Sequence, residues 1–256
     1  MQKKFAATLY TLRNELKEQG IPSVFKELAQ MGWAGVQISS LPPGYDPEEV
    51  AASIKENGFK AAGMHVSLDR LRTDLGGVLE EARLYNTVDI ICPFLPKEYQ
   101  NAEGYQQVKF ELNEIAKESP DFRISYHNHA FEFDTTIEGT SALEYLLEPT
   151  SDNQILAEID VYWVKKGGQD PLAFIQSYKN RMPVLHLKDM TVDTEETFAE
   201  VGTGSIDFPP ILQWGEENGV EWYVVEQDIC KGKPMDSLRI SLTNLQEMAK
   251  RRQVSG

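Results

Sequence analysis

Four histidines and a set of carboxylates stand out by their spacing. "YHNHAFEF" (126–133) carries His127, His129 and Glu132, and "EID" (158–160) ends on Asp160. "HLKD" (186–189) holds His186, Lys188 and Asp189, "VVEQD" (224–228) holds Glu226 and Asp228, and His65 closes "FKAAGMH" (59–65). Imidazole and carboxylate together are the ligand set of borderline divalent metals such as zinc, manganese or cobalt, with no thiolate needed. A lone histidine of this kind is usually a hydrogen-bonded structural residue. Convergence changes the weighing, because carboxylates sharing one cavity repel one another unless paired or bound to a cation. That argument selects Asp160, His186 and Glu226 as candidate ligands. Lys188 follows His186 by two, so on a strand both side chains share a face. There its ammonium can stabilise an oxyanion or move a proton; the plainer alternative is a salt bridge to Asp160 or Glu226.

The elements that must position these residues follow from hydrophobic periodicity. Strand-length apolar runs lie at 5–10, 35–39, 59–65, 88–94, 122–127, 154–160, 183–189 and 221–228. Between them run segments with apolar residues three and four apart, such as "PSVFKELAQMG" and "DPLAFIQSYKN". Pro22, Pro47 and Pro171 fall where a first helical turn tolerates a missing N–H, and Gly32, Gly58 and Gly219 follow helical runs as C-caps. Strands apolar on both faces and separated by helices pair in parallel, since each helix must cross over and cover the sheet. Eight such units predict a closed (β/α)8 barrel, an α/β fold whose site lies at the carboxyl ends of the strands. A doubly wound sheet would show a glycine-rich phosphate loop after the first strand, and "LYTLRNEL" has no glycine. No linker or shift in composition divides the chain, so residues 1–256 are expected to form one domain.

Composition excludes several classes. A formal charge of −15 opposes binding to nucleic acid and to anionic membrane surfaces, and no segment approaches a membrane span. Two cysteines, Cys92 and Cys230, form no disulfide framework and suit a reducing, cytoplasmic setting. "VGTGSIDFPP" (201–210) has the look of a phosphate cradle near the last strands, although a flexible loop leading to Asp207 as an N-cap explains it equally well. Among the aromatic residues, Tyr162 and Trp163 stand beside Asp160 and are candidates for a sugar-facing wall.

"LYTLRNEL", "GVQIS", "YHNHAFEF", "DVYWVKKGGQDP", "HLKDM", "VGTGSIDF" and "VVEQD", in this order along nearly the whole chain, resemble the sugar phosphate isomerase/epimerase family of xylose isomerase-like TIM barrels. The resemblance implies one divalent cation, Mn, Zn, Co or Mg, held by two glutamates, an aspartate and a histidine. Carried over, these are Glu132, Asp160, His186 and Glu226. Where relatives end strand five on glutamate this chain has His127, with Glu132 five residues later. The resemblance favours Glu132 as fourth ligand, with His127 as its rival. Trp163 stands where many relatives have a substrate-contacting histidine. The "YHNH" and "HLKD" pattern is also similar to inosose dehydratases and to enzymes that eliminate from 3-keto sugars.

These chemistries share removal of a proton alpha to a carbonyl, and the enediolate so formed needs a cation. Glu226 is the expected base, with Glu132 on the opposite side; Lys188 or His65 would serve as general acid. His127, His129, Tyr162 and Trp163 are expected to contact the substrate. The expected activity is a metal-dependent sugar isomerase or epimerase, with a metal-dependent lyase or an inactive sugar-binding barrel as alternatives. Its partner is a small sugar or keto-polyol, and self-association into a homo-oligomer is left open.

Overall fold

A computed structural model describes residues 1–255, with side chains up to Arg251. Eight strands, β1 (Phe5–Thr8), β2 (Gly35–Ile38), β3 (Lys60–His65), β4 (Asp89–Cys92), β5 (Arg123–His127), β6 (Leu156–Asp160), β7 (Val184–Leu187) and β8 (Trp222–Val225), form a closed barrel. Every neighbouring pair is parallel, and β1 closes the ring by pairing with both β8 and β2. The (β/α)8 barrel expected from the alternating pattern is therefore the fold. Several strands are shorter than their apolar runs. β1 turns into a 3-10 helix at Leu9, β7 ends at Leu187 and β8 ends at Val225, so Lys188, Glu226 and Asp228 stand just beyond the strands.

Local chemistry sets the helix boundaries. Asp46 accepts from the Glu48 amide and Asp170 from the Ala173 amide, each with proline as the next residue. Ser141 and Glu144 form a reciprocal capping box over Ala142–Leu146. Helix Ile21–Met31 ends on Gly32 at φ 96°, a left-handed conformation that glycine adopts without a Cβ clash.

Alternation along the strands separates two layers. Outward residues such as Tyr126, Ile159, Leu185 and Tyr223 join the main apolar core between sheet and helices. Ala6, Ala62, Val184 and Val224 make a small separate apolar cluster on the opposite, inward face. Above it, towards the carboxyl ends, the buried interior turns polar with Gln37, His127, Glu158 and His186. Among the described residues, no helix is long and apolar enough to cross a membrane.

Candidate active site

Register brings the polar residues together. His127 on β5 pairs with Glu158 on β6, and Asp160 on β6 pairs with His186 on β7. Ligand-type atoms of His127, Asp160, His186 and Glu226, all buried, lie within 4.8 Å of one another. A second such group, His65, His127, Glu158 and His186, shares two of these histidines.

Glu158 lies at the centre of that second group. Its Oε1 is 2.7 Å from His65 Nε2 and 3.1 Å from both His127 Nδ1 and His186 Nε2, while Gln37 Nε2 donates to Oε2 at 2.5 Å. Burial opposes ionisation, but the surrounding histidines hold the Glu158 carboxyl well below the ordinary range. For His186, burial works against the cation, yet the charge and hydrogen bond of Glu158 prevail and raise its pKa to about 8. Burial instead brings His127 down to about 4.

Lys188, fully buried, sets its ammonium 2.9 Å from Asp160 Oδ2, 2.7 Å from Glu226 Oε1 and 2.7 Å from Asp228 Oδ2. The salt bridges weighed as its plainer role are thus both present, with Asp228 as a third partner. It also faces the Trp163 ring, 5.2 Å from the centroid. Burial would raise the pKa of Glu226, but Lys188 and the nearby histidines keep it well below the usual carboxylate range. Burial pushes Asp160 up to about 6 against the pull of Lys188. Asp160 Oδ1 also caps helix Val161–Lys166, accepting from the Tyr162 amide at 2.9 Å.

Glu132 lies elsewhere, although sequence favoured it as fourth ligand and second base. Its carboxylate accepts from the Tyr126 hydroxyl at 2.7 Å and from the His129 amide at 2.8 Å. Tyr126 faces the outer layer, so its partner Glu132 is drawn to that side of β5, and the strand-five residue beside Asp160, His186 and Glu226 is His127. Burial raises the Glu132 carboxyl to about 7, and its two hydrogen bonds offset this only in part.

A cavity of about 330 Å³ opens over this centre, lined by Tyr10, Ser39, Ser40, His65, Ser67, Pro93, Phe94, His127, His129, Glu226 and Asp228. Among the described residues no lysine or arginine lines it, while Arg13 lies behind its wall, over the Tyr10 ring at 4.4 Å and donating to the Asp228 carbonyl. His129 packs between Phe94, Phe131 and Trp163, with ring centroids 5.3–5.5 Å away. Two residues expected at the substrate do not line the cavity: Tyr162 gives its hydroxyl to the Glu196 carbonyl, and Trp163 packs against His129 and Lys188. A larger cavity of about 580 Å³, walled by Glu138, Tyr145, Glu148 and Phe174, contains none of the histidines and is remote from this chemistry.

The glycine loop after β7 is spoken for. The amides of Met190, Gly202, Gly204 and Ile206 all donate to Asp189, so the chain's own carboxylate fills the anion cradle that a phosphate would need. Asp207 occupies the N-cap position of helix Phe208–Glu217, but its side chain makes no capping bond.

Glu158, Gln37 and the Tyr10, Ser39, Ser40 and Ser67 hydroxyls were not singled out from sequence. The signal for Glu158 was present: it precedes Asp160 by two, so strand alternation turns both inward. Gln37 is likewise the one polar residue of β2.

The donor set fits a divalent cation. His186 Nδ1 is buried without a hydrogen-bond partner, 3.8 Å from Glu226 Oε2, while its Nε2 is held by Gln37 and Glu158. One imidazole nitrogen anchored by acceptors and the other open towards carboxylates is how protein metal sites present histidine.

The fold and this polar centre define a (β/α)8 barrel with a cluster of histidines and carboxylates that could hold a metal ion at its carboxyl-end mouth. Over 95% of the chain and 98% of the other, its fold matches the structure of a sugar phosphate isomerase/epimerase from Parabacteroides distasonis, with TM-score 0.78 and 19% identity. Among curated proteins it is similar to the inosose dehydratase of Clostridium beijerinckii, 28% identical over an alignment of 161 residues that covers 55% of this chain and 53% of that protein. It is 27% identical to the inosose dehydratase of Clostridium tetani over 158 residues, 54% of this chain and 52% of that protein. The chain therefore spans about half the length of the curated relatives it matches. No protein-family model matches it.

Proposed function

We propose that this protein is a divalent-cation-dependent lyase of dehydratase type. It would act on a small keto-polyol or keto sugar, taking the proton from the carbon next to the carbonyl and expelling a hydroxyl as water. His127, Asp160, His186 and Glu226 would hold the ion, Mn, Zn, Co or Mg, which when bound polarises carbonyl and hydroxyl oxygens as a Lewis acid. His127 replaces Glu132 in the set expected from sequence, because Glu132 is engaged on the other side of β5.

The observation that carries this reading is the asymmetry of the cavity. Its carboxylates, Glu226 and Asp228, come from one segment, whereas His65 and His129 are the acid–base groups outside the proposed ligand set. Epimerisation, the first expectation, needs a base on each face of the carbon, and Glu132 was to be the second. Elimination needs one base and one acid. Glu226 takes the carbon-bound proton; Lys188 keeps it ionised and moderates its basicity. His65, as the imidazolium with its Nε2–H held by Glu158, delivers the proton on Nδ1 to the departing hydroxyl. Lys188 is then a holder of carboxylates rather than an acid. The hydroxyls of Tyr10, Ser39, Ser40 and Ser67 suit a polyol. The similarity to inosose dehydratases points the same way.

One observation favours a second reading, a sugar-binding barrel without chemistry: Lys188 already compensates the carboxylates that a cation would otherwise neutralise. The test is to incubate metal-loaded protein with inososes, ketoses and 3-keto glucosides in deuterated water and follow products by NMR. Loss of water is expected. Deuterium gain at the alpha carbon with unchanged composition would return the assignment to isomerase or epimerase. No exchange with any compound, despite bound metal, would favour the binding barrel.

A further inference from the structure

Glu158 is buried beneath the cavity and does not line it. Four side chains from four other strands or strand ends converge on it: Gln37 of β2, His65 of β3, His127 of β5 and His186 of β7. A carboxylate accepts hydrogen bonds and donates none, so each of these groups must turn an N–H towards it. That requirement fixes more than distances. Gln37 must present its amide nitrogen to Glu158 Oε2, which leaves its carbonyl oxygen 2.8 Å from His186 Nε2. His186 Nε2 then lies between two acceptors, Gln37 Oε1 and Glu158 Oε1, and has to carry a hydrogen. The other nitrogen, Nδ1, is the buried atom without a partner. By the same logic His127 is protonated at Nδ1 and His65 at Nε2, which leaves His127 Nε2 and His65 Nδ1 free.

We propose that Glu158 is the positioning residue of this site: by accepting N–H groups from three histidines it sets their tautomers. Lone pairs of His127 and His186 are thereby left for the cation, and His65 Nδ1 is left on the substrate side to take up the proton that it passes to the departing hydroxyl. The inference rests on the metal-site reading above for its second half only, since the tautomers belong to the protein alone. Glu158 touches neither cation nor substrate; it acts through the imidazoles. A competing role exists, because His65, His127, Glu158 and His186 lie close enough to surround a second ion. Hydrogen bonding argues against it. The nitrogens that would bind such an ion are the ones that donate to Glu158, and an imidazole nitrogen cannot carry a proton and a metal together.

The experiment compares wild type with Glu158→Gln and Gln37→Ala by two measurements. Nitrogen-15 NMR of histidine-labelled, metal-free protein, above the imidazole titration range, should show His65 and His186 as Nε2–H and His127 as Nδ1–H. In Glu158→Gln these should become mixed, whereas in Gln37→Ala, where Glu158 Oε1 still accepts, His186 should remain Nε2–H. Competition with a chelator for cobalt should show one ion per chain, with affinity reduced by roughly 10- to 100-fold in Glu158→Gln. Unchanged tautomers or unchanged cobalt affinity in Glu158→Gln, or a His186 tautomer lost in Gln37→Ala, would overturn the positioning role. So would two ions in wild type with one lost in Glu158→Gln, which would make Glu158 a ligand. Should Glu158→Gln fail to fold, Glu158→Asp, whose shorter side chain withdraws the carboxylate from the three imidazoles, carries both measurements. If wild type binds no cobalt, the metal-site reading fails while the tautomers still decide what Glu158 does.

Discussion

Tyr126 and His127 are neighbours on β5 that serve opposite layers: the tyrosine hydroxyl donates to Glu132 at 2.7 Å, and the histidine Nδ1 meets Glu158 at 3.1 Å inside the barrel. One residue of register therefore separates a buried carboxyl of the outer layer from the inward polar centre. The pH behaviour of Glu132 follows. Its folded pKa of about 7 lies above its ordinary value of 4.5, so the unfolded chain gives up this proton first as pH rises. Glu132 should favour the native state fully below the ordinary value and progressively less up to about 7. The loss is on the order of 3 kcal/mol by the cost of a pKa shift. Glu132→Gln keeps an oxygen to accept from the His129 amide, offers its amide N–H to the Tyr126 oxygen in place of the bond that Tyr126 donates, and should flatten this dependence. Urea denaturation at pH 5 and pH 8 tests it; equal slopes in both proteins would show that Glu132 holds no proton.

Metal content distinguishes the ligands. His186→Ala and His127→Ala should each remove most bound manganese or zinc, whereas His129→Ala and Glu132→Ala should leave it nearly unchanged, as read by elemental analysis after dialysis. Depletion by Glu132→Ala that equals depletion by His127→Ala would restore the glutamate as ligand.

Replacing Lys188 with methionine leaves Asp160, Glu226 and Asp228 without their shared ammonium. Removing one partner of buried ion pairs typically costs about 3–5 kcal/mol, so the metal-free variant should melt well below wild type. A divalent cation bound to the native state should recover part of this, giving a larger manganese-induced rise in melting temperature than in wild type. An equal or smaller rise in the variant would count against the cation and Lys188 sharing those carboxylates.

Asp189 accepts four backbone amides and so holds the segment after β7. Asp189→Ala should destabilise the protein by about 1–3 kcal/mol, the usual consequence of leaving buried donors unpaired. Hydrogen exchange should rise at Gly202, Gly204 and Ile206 before it rises elsewhere. Uniform loss of protection across the barrel would mean that the loop has no stability of its own to lose.

Sequence alone determined the barrel and the end at which its chemistry gathers, because both depend on local regularities. Alternating periods, Asp46 and Asp170 before prolines, and polar residues at strand ends are legible without knowing which strands touch. Asp160, His186 and Glu226 could be grouped for the same reason: consecutive parallel strands bring their ends to one rim. What the tertiary structure decided is the partner of each buried charge. Glu132 lies close to His127 along the chain, yet the opposite orientation of Tyr126 draws it to the outer layer. Lys188 read either as a catalytic cation or as a salt-bridge partner of Asp160 or Glu226, and packing brought both carboxylates and Asp228 to its ammonium. Glu158 read as one acidic residue in an apolar strand, and only closure of the barrel set Gln37, His65, His127 and His186 against it. A charge in low dielectric takes whichever counter-charge or donor lies within about 3 Å. That distance is fixed by packing across the barrel, not by spacing along the chain.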